Sequence, residues 1–450
     1  MVTRRRRAIH TATLVSALAL TLGACGGGGS GSKTAAKADP QASGKVQAAL
    51  EKGGQLSVWA WDPAEKAIVA KFQKAYPKVK VNLQNVGTGN AQYTKLENAI
   101  KAGRGVPDVA QVEFYAIPQF AITKSLANLA PLGASALDNT FTSGDWAASK
   151  VGSQILGLPQ GSGPMVLFYN KAIFDKYKLT VPTTWGEYVA DARKLHAADP
   201  KKYITSDNGD AGFTASMIWQ AGGRPYKVDG TKVTINFDDP GTKKFTQMWQ
   251  PLVKENLLAK VSGFTDEWFQ GLSDGTIATL PIGAWMPPNL MGSAPKASGD
   301  WRVVPMPQYE KGTSITSQNG GGGLSLMQAS KNKDLAYGFL KFAAAGPGAQ
   351  SYADQNEFPT QNSILKSAKF LNAAPAYFGG QKINQVLAKA SSNVAPGWQY
   401  LPFQPYANSI FANTAGQAWT ASGTTIQQGL AGWQSASAKY ATQQGFTVTK

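Results

Sequence analysis

Short apolar runs and amphipathic segments alternate along the chain from residue 56 onward. Leu56–Trp61 is a run typical of a short strand, and Asp62, Pro63 and Glu65 suit the N-cap, first and reciprocal capping positions of a helix. Apolar residues then recur at helical spacing until Pro77. Another strand, another helix and a third strand follow. This β-α-β-α-β order predicts a mostly parallel sheet.

A stretch rich in glycine and proline, Gly157–Asn170, lies in the middle of this pattern. In its first half, the glycines permit unusual backbone angles and the prolines fix theirs. Its second half is an apolar run of strand-forming residues. The stretch therefore predicts a hinge that leads into a strand. The α/β pattern resumes after it. A second glycine run, Gly320–Gly323, precedes the apolar Leu324–Met327 and predicts a return crossing, whereas Leu371–Lys450 reads as mostly helical.

The N-terminus has the composition of an export signal. Four arginines, Arg4–Arg7, precede the apolar run Ala8–Leu22, which is too short to span a membrane as a helix. The next residues end at Cys25, the single cysteine of the chain, and resemble the bacterial lipobox, whose cysteine is lipidated; the alternative is a buried thiol. Residues 26–53 are rich in Gly, Ser, Ala, Lys and Gln and predict a flexible tether.

The chain is basic, with 44 Lys and Arg against 27 Asp and Glu and a formal net charge of +17. Such a balance can indicate a nucleic-acid partner. Here, however, the basic residues after Cys25 are scattered singly along predicted helices. We therefore expect a solvated surface near an anionic cell envelope and no nucleic-acid partner.

The chain lacks the residues that several kinds of catalysis require. The two histidines are His10, inside the predicted signal, and His196, which argues against Ser-His, Cys-His and His-rich metal sites. Gly320–Gly323 lacks the Lys and Ser/Thr of a phosphate-binding loop. Paired carboxylates could still serve a glycosidase, and the candidates are Asp62, Glu113, Asp266 and Glu267.

Tryptophans occur where predicted strands give way to loops, namely at Trp59, Trp61, Trp285 and, beside Tyr400, Trp398. Rings at such positions can stack on the C–H face of a sugar while polar groups meet its hydroxyls. For any one tryptophan, core packing is the more frequent role. The aromatic set nevertheless favours a carbohydrate ligand.

With these residues the chain resembles the extracellular solute-binding proteins of bacterial ABC sugar importers, of the large maltose-binding type. The resemblance covers nearly all of residues 54–450. The motifs that carry it are Trp59–Asp62, Ala102–Val109, Leu167–Lys171 with Pro182–Trp185, Leu272–Ala278 and Ser330–Lys333.

This resemblance implies an α/β fold with two lobes, each a mostly parallel sheet flanked by helices, joined by hinge crossovers around the ligand. The domain boundaries that we expect are 1–25 for the lipoprotein signal, 26–53 for the tether, 54–162 with 324–370 for the first lobe, and 163–323 with 371–450 for the second lobe.

The resemblance also implies which residues contact the ligand. A family tryptophan often precedes the glycine-rich crossing, and this chain has Asn319 there. The expected contacts are Trp61, Asp62, Glu113, Phe114, Tyr115, Gln160, Trp219, Gln220, Trp285, Asn319, Gly321, Gly322, Trp398 and Tyr400.

The expected function is a substrate-binding lipoprotein that captures a di- or oligosaccharide between its lobes and delivers it to an ABC permease. We expect a monomer without cofactor, metal or catalytic residues, exported and lipid-anchored at Cys25 to the outer face of the cell membrane. Two alternatives remain. A surface-tethered glycoside hydrolase would turn the sugar over, and an adhesion or envelope-structural lipoprotein would neither close nor bind a small ligand.

Overall fold

The computed structural model describes residues 40–420 and 423–449. The predicted signal, Cys25 and the first part of the predicted tether lie outside the described residues. Within the described ranges, no helix combines the length and the apolar character that crossing a membrane requires.

Strands and helices alternate through most of the described chain, as the hydrophobic pattern predicts. The strands are β1 (Gly54–Trp59), β2 (Val79–Gln84), β3 (Val109–Glu113), β4 (Lys150–Val151), β5 (Gln154–Ile155), β6 (Leu158–Asn170), β7 (Thr205–Ser206), β8 (Tyr226–Asp229), β9 (Lys232–Ile235), β10 (Leu258–Ala259), β11 (Thr279–Gly283), β12 (Trp301–Pro305), β13 (Gln318–Leu326) and β14 (Thr447–Thr449).

The helices include a short π-helical continuation, Lys341–Ala345, at the end of α12. Their bounds are α1 (Ala42–Lys52), α2 (Glu65–Ala75), α3 (Asn90–Ala102), α4 (Ile117–Ile122), α5 (Ser143–Ala148), α6 (Lys171–Lys176), α7 (Trp185–Ala198), α8 (Ala211–Gln220), α9 (Pro240–Lys254), α10 (Asp266–Ser273), α11 (Met286–Ser293), α12 (Lys333–Leu340), α13 (Pro347–Asp354), α14 (Asn362–Leu365), α15 (Ala368–Leu371), α16 (Ile383–Ser392), α17 (Gln404–Ser409), α18 (Gln417–Thr420) and α19 (Ile426–Gln443).

The main sheet is mixed rather than mostly parallel. Its strand order is β11-β6-β13-β3-β1-β2, and β12 also pairs with β6. Only β1 with β2 and β1 with β3 run parallel, because these strands are joined by crossover helices; β13 and β6 pair antiparallel with each other and with their other neighbours. The α/β, two-lobed fold class is confirmed, but in the main sheet parallel pairing is confined to β1, β2 and β3. In the smaller sheets, β7 with β10 and β9 with β14 also pair parallel.

Strand β6 passes through both lobes. Leu158–Pro164 pairs with β13, and Met165–Asn170 pairs with β11 and β12. The predicted hinge loop is therefore part of a 13-residue strand, because β13 supplies a backbone partner for it. Gly163 permits this close approach, since a Cβ there would lie 2.1 Å from the Asn319 carbonyl oxygen. The pairing shifts register twice along β13.

Two of the large cores contain residues from different halves of β6, Leu158 in one and Met165 in the other. The first contains Leu56 and Phe72 beside Leu324 and Phe339. The second contains Trp185 and Trp249, packed with residues of the helical C-terminal region such as Trp433. Sequence positions that are far apart thus share each lobe, as a chain that crosses between lobes requires.

Part of the predicted tether is folded. Helix α1 buries Ala42, Val46 and Leu50, which recur every four residues along one face. Leu50 reaches helix α12, where a Cβ on Gly338 would lie 3.0 Å from it. The prediction of a flexible segment up to residue 53 is therefore wrong for residues 42–52, because a few apolar residues at helical spacing suffice to dock the helix.

The predicted first-lobe segment 324–370 also packs differently near its end. Phe358, Ile364 and Phe370 belong to a core that contains Val166 and Trp301. Their neighbours are thus strands β6 and β12, and the boundary predicted at residue 370 does not follow the packing.

Candidate functional site

A cleft of about 920 Å³ opens where β6 and β13 cross. The loops after β1, β3 and β11, the N-terminal part of α8 and residues from the C-terminal region form its wall. The structure brings together on this wall the predicted residues Trp61, Asp62, Glu113, Tyr115, Gln160, Trp219, Trp285, Asn319, Gly321, Gly322, Trp398 and Tyr400.

The loop after β1 is fixed by a side chain of the neighbouring strand. The Gln111 Oε1 atom accepts hydrogen bonds from the backbone N–H groups of Trp61 and Asp62, at 3.0 and 3.1 Å. One oxygen of Asp62 accepts a bond from the Ala64 N–H at 2.9 Å. Strand β3 therefore positions the first loop, and the carboxyl group of Asp62 is oriented before any ligand arrives.

One side of the cleft, which we call the acidic wall, consists of Asp62, Glu113, Tyr352 and Glu357. Burial, together with the charge of the nearby Asp62, raises the pKa of Glu357 to about 9. Burial likewise raises the pKa of Asp62, partly offset by its hydrogen bonds from Ala64 and Tyr352. These carboxyl groups hold protons more readily than exposed ones and can donate as well as accept hydrogen bonds.

Glu65 lies directly behind this wall, fully buried at the start of α2. Burial and the charge of Asp62 raise its pKa from 4.5 to about 8. Neither of its carboxyl oxygens has a hydrogen-bond partner among the described residues, and the same holds for the amide nitrogen of nearby Gln160. Proximity to Gln160 only partly offsets the rise in the pKa of Glu65.

Glu113 ends β3 and is held by tyrosines. The Tyr93 hydroxyl donates to Glu113 Oε2 at 3.1 Å and accepts from the Glu113 N–H at 2.8 Å. Burial raises the pKa of Glu113 to about 7, which the hydroxyls of Tyr115 and Tyr93 partly offset. The carboxyl group therefore faces the cleft in a fixed orientation and changes charge near neutral pH.

A second group of lining residues, which we call the aromatic wall, consists of Trp219, Phe264, Trp268, Trp285 and Trp398. Trp219 and Trp398 stack with ring centroids 5.0 Å apart and an interplanar angle of 8°. Phe264 and Trp285 also stack, at 5.8 Å and 27°. The wall therefore carries two stacked pairs of rings from four separate chain segments.

Trp285 is anchored at the strand crossing. Its indole N–H donates to the Asn319 carbonyl oxygen at 2.6 Å. A Cβ on Gly283 would lie 2.3 Å from the indole nitrogen, and one on Gly320 would lie 3.0 Å from it. Glycines thus make room for the ring, and its position depends on the backbone that joins the lobes.

Two predicted contacts do not line the cleft. Phe114 is buried beneath the crossing, where a Cβ on Gly321 would lie 3.1 Å from its ring. Gln220 is also buried; it accepts a hydrogen bond from the Trp185 indole and donates to the Pro307 carbonyl oxygen. Both residues support the wall from behind, so we do not retain them as ligand contacts.

Sequence reasoning missed other wall residues, including Phe264, Trp268, Tyr352 and Glu357. Asp207 and Asp210 were missed too. Their roles are structural: Asp207 accepts hydrogen bonds from the Trp249 and Trp419 indoles, and Asp210 caps α8 through the Phe213 N–H. The Asp-x-x-Phe cap before an apolar helix was a usable signal for Asp210; the others follow no motif.

Acidic side chains line the cleft, although the chain as a whole is basic. Its wall includes the carboxyl groups of Asp62, Glu113, Asp207, Asp210 and Glu357, and no Lys, Arg or His among the described residues. His196 lies elsewhere, with its Nδ1 atom 3.0 Å from the Lys202 carbonyl oxygen. Across the described ranges no group of three or more His, Cys, Asp or Glu could hold a metal ion.

A two-lobed α/β protein with a deep cleft at the strand crossing, lined by stacking rings and hydrogen-bonding groups, has the architecture expected of a binding protein for a small solute. The family model described as bacterial extracellular solute-binding protein matches residues 60–350, and the chain belongs to this family.

Two of the similar proteins of known structure come from bifidobacteria. The chain is 42% identical to the ABC transporter associated binding protein of B. animalis subsp. lactis Bl-04, solved in complex with β-1,6-galactobiose; the match covers 88% of this chain and 99% of that one, with a TM-score of 0.83. It is 26% identical to the galacto-N-biose-/lacto-N-biose I-binding protein of Bifidobacterium longum, solved with lacto-N-biose, with the same coverage and a TM-score of 0.77.

A relative outside the bifidobacteria is the lactose-binding protein of Rhizobium radiobacter. It is 22% identical over 403 residues, which are 84% of this chain and 89% of that protein.

Proposed function

We propose that this protein captures a neutral di- or oligosaccharide in the cleft and delivers it to the permease of an ABC importer. The observation that carries the proposal is the pairing of an aromatic wall with an acidic wall that contains no basic side chain. Rings stack on the apolar face of a sugar, and carboxyl groups accept hydrogen bonds from its hydroxyls.

The relatives support the same ligand class. The structure that is 42% identical holds β-1,6-galactobiose, and the other two relatives described above are a lacto-N-biose I-binding and a lactose-binding protein. A volume of about 920 Å³ leaves room for more than one sugar ring. Neutral disaccharides that contain galactose are therefore the first ligands to test.

The test is isothermal titration of the purified chain with β-1,6-galactobiose, lactose, lacto-N-biose, maltose and the constituent monosaccharides, followed by recovery of the sugar. We expect binding of at least one disaccharide and its recovery intact. Recovery of cleaved sugar would indicate a hydrolase. Absence of binding to every sugar would overturn the carbohydrate assignment and leave only membership of the solute-binding family.

Ligand binding would close the lobes around the crossing, and the closed form would be the one that docks on the permease. A ligand that contacts both walls favours closure because it interacts more strongly with the closed form. Small-angle X-ray scattering with and without the bound disaccharide tests this step. An unchanged radius of gyration would contradict closure.

The predicted lipid anchor at Cys25 completes the proposal, with the chain exported and held at the outer face of the cell membrane. It is supported by the basic and apolar run that precedes Cys25. Detergent-phase partitioning of the expressed protein, compared with Cys25→Ser, tests the anchor. Equal partitioning of the two proteins into the aqueous phase would contradict lipidation.

A further inference from the structure

Asp145 is a buried carboxyl group whose hydrogen-bond donors, among the described residues, are all neutral. It lies on α5, next to Trp146 of the first-lobe core, and its side chain is fully buried. Its Oδ2 atom accepts a bond from the Thr142 hydroxyl. Its Oδ1 atom accepts bonds from Ser162 Oγ at 3.0 Å and from Gln318 Nε2 at 2.8 Å. Burying a carboxyl group among neutral partners costs free energy, so we ask what its contacts provide.

The contacts of Asp145 join the two strands that connect the lobes. Ser162 belongs to β6, and Gln318 belongs to β13. Gln318 pairs with Pro164 and Gly321 pairs with Ser162, so that residues 319 and 320 of β13 lie opposite residue 163 of β6. Two residues opposite one form a β-bulge, which interrupts the ladder and bends the strand. Asp145 therefore binds one residue on each side of a bulge at the crossing.

Gln318 is also bound to the second lobe. Its carbonyl oxygen lies 2.7 Å from Ser216 Oγ, whose single hydrogen is shared with the Gly212 carbonyl oxygen, also at 2.7 Å. Ser216 lies on α8, next to Met217 of the second-lobe core. The side chain of Gln318 thus contacts the first lobe, and its main chain contacts the second.

The bulge also holds part of the cleft wall. The carbonyl oxygen of Asn319, inside the bulge, accepts the indole hydrogen bond of Trp285. The Asn319 amide nitrogen lies 3.3 Å from Ser216 Oγ. Rotation of β13 at the bulge would therefore displace both Trp285 and α8. The geometry of the bulge couples the angle between the lobes to the shape of the cleft.

We propose that Asp145 is a positioning residue, which fixes the angle between the lobes by holding β6 and β13 together across the bulge. Without this contact the bulge would rotate more freely, and the unliganded protein would sample a wider range of lobe angles. A sugar would then bind only the fraction of molecules with a suitable angle, which lowers the apparent affinity by that fraction. The effect on sugar binding rests on the proposed function, whereas the effect on the lobe angle does not.

Two variants of Asp145 separate the contact from the charge. Asp145→Ala removes all three hydrogen bonds. Asp145→Asn keeps an oxygen that can accept from Ser162 and Gln318, and its NH2 group can donate to the Thr142 hydroxyl, so it should retain the contact. Gln318→Met removes the donor at a similar side-chain length and tests the same contact with Asp145 unchanged.

Asp108→Ala is the matched control. Asp108 also accepts two hydrogen bonds, from the Ser57 N–H and the Ser330 hydroxyl. These partners lie in β1 and just before α12, and both elements contribute to the first-lobe core. The control therefore loses hydrogen bonds within one lobe and none between the connecting strands.

The first measurement is the distance distribution between two spin labels, by double electron–electron resonance on the unliganded full chain. Cys25→Ser removes the single natural cysteine, and Lys74→Cys on α2 and Lys254→Cys on α9 provide one exposed site in each lobe. We expect a broader distribution for Asp145→Ala and Gln318→Met than for the labelled parent chain. Asp145→Asn and Asp108→Ala should reproduce the parent distribution.

The second measurement is isothermal titration with the disaccharide of the panel that binds most tightly. We expect Asp145→Ala to weaken binding about fivefold, and Asp145→Asn and Asp108→Ala to stay within about twofold of the wild type. Unchanged affinity of Asp145→Ala would show that the lobe angle does not govern binding and would overturn the positioning role.

Three further outcomes overturn the proposal. The parent distribution in Asp145→Ala would show that the contact does not fix the angle. Equal broadening by Asp108→Ala would show a general loosening of the fold. Equal broadening by Asp145→Asn would show that the bonds to Ser162 and Gln318 are not the cause. A wild-type chain that binds no sugar would overturn the proposed function, and the distance distributions would still test the role of Asp145 in the lobe angle.

Discussion

The two walls of the cleft hold their side chains by different means. On the acidic wall, Asp62 and Glu113 are fixed by hydrogen bonds from backbone N–H groups and tyrosine hydroxyls that belong to the first lobe. On the aromatic wall, the Trp285 indole donates one hydrogen bond to the Asn319 carbonyl oxygen, and the Phe264 side chain contacts neighbouring rings. The acidic wall is thus oriented before binding, whereas part of the aromatic wall is left to be covered by the ligand.

Because of this difference, we expect the two walls to contribute differently to sugar binding. Directional hydrogen bonds from fixed carboxyl groups discriminate between sugar hydroxyl patterns, whereas stacking tolerates many sugars and contributes mainly affinity. We expect changes to the acidic wall to alter which sugar binds and how stability depends on pH. Changes to the aromatic wall should alter how tightly all sugars bind.

The largest expected effect concerns stability and Glu65. Because its pKa is raised to about 8, the folded protein holds a proton that the unfolded chain has lost above pH 4.5. The free energy of unfolding should therefore fall as pH rises from about 5 to 8, by up to about 4 kcal/mol for this group. Glu65→Gln should remove this contribution to the pH dependence of the free energy of unfolding. Urea denaturation of both proteins at pH 5 and pH 8 measures it.

The exposed Glu267→Gln provides the control for this experiment, and its pH dependence should match the wild type. Identical pH dependence of Glu65→Gln and the wild type would show that Glu65 is ionised in the folded protein, and the acidic wall would then have no pH-sensitive support.

The next effect concerns the aromatic wall. Trp285→Ala should weaken binding of every sugar that binds by roughly 1–3 kcal/mol, the range known for rings that stack on nucleic-acid bases. Trp285→Phe should lose less, because a ring remains. Isothermal titration of both variants checks this. A loss confined to one sugar would contradict the division between the walls.

Asp62→Asn should have a smaller and more selective effect. The amide oxygen can still accept from the Ala64 N–H, so the loop is retained, but an NH2 donor replaces the second carboxyl oxygen. We expect binding to weaken by about 1–2 kcal/mol, to different extents for epimeric sugars. Titration with lactose and cellobiose, which differ at one hydroxyl, tests the selectivity. Equal losses for the two would assign selectivity elsewhere.

The smallest effect concerns ligand charge. With carboxyl groups and no basic side chain on the described wall, a uronic-acid disaccharide should bind at least about tenfold more weakly than its neutral counterpart, about 1.4 kcal/mol. The difference should shrink at high salt and at low pH, where the wall or the ligand loses charge. Equal affinity at pH 7.5 would contradict an acidic wall that acts through its charge.

Trp61 and Trp285 could be predicted from the residues themselves, because tryptophans that follow a strand at the start of a loop are a local signal. Asp62 and Glu113 were expected as ligand contacts only from the resemblance to the family. The period of two should also have excluded Phe114, because it lies between Glu113 and Tyr115 and so points to the opposite face. Gln220 follows Trp219 on a helix and faces about 100° away from it.

Other features have no local signal. Glu357 and Phe264 reach the cleft only through the packing of segments distant in sequence, and neither belongs to a recognisable motif. Helix α1 was missed for another reason. Its Lys, Gln and Ala composition resembles that of a linker, and only the spacing of Val46 and Leu50 indicates a docked face.

The crossing of β6 and β13 has a mechanical consequence. Two hydrogen-bonded strands side by side form a ribbon, and two-stranded ribbons twist more strongly than wider sheets. Rotation of one lobe relative to the other would then twist this ribbon elastically over several residues. The ribbon would twist most easily at the two register shifts along β13. Such a ribbon would limit how far the lobes open and return them to one resting angle, as a torsion spring does.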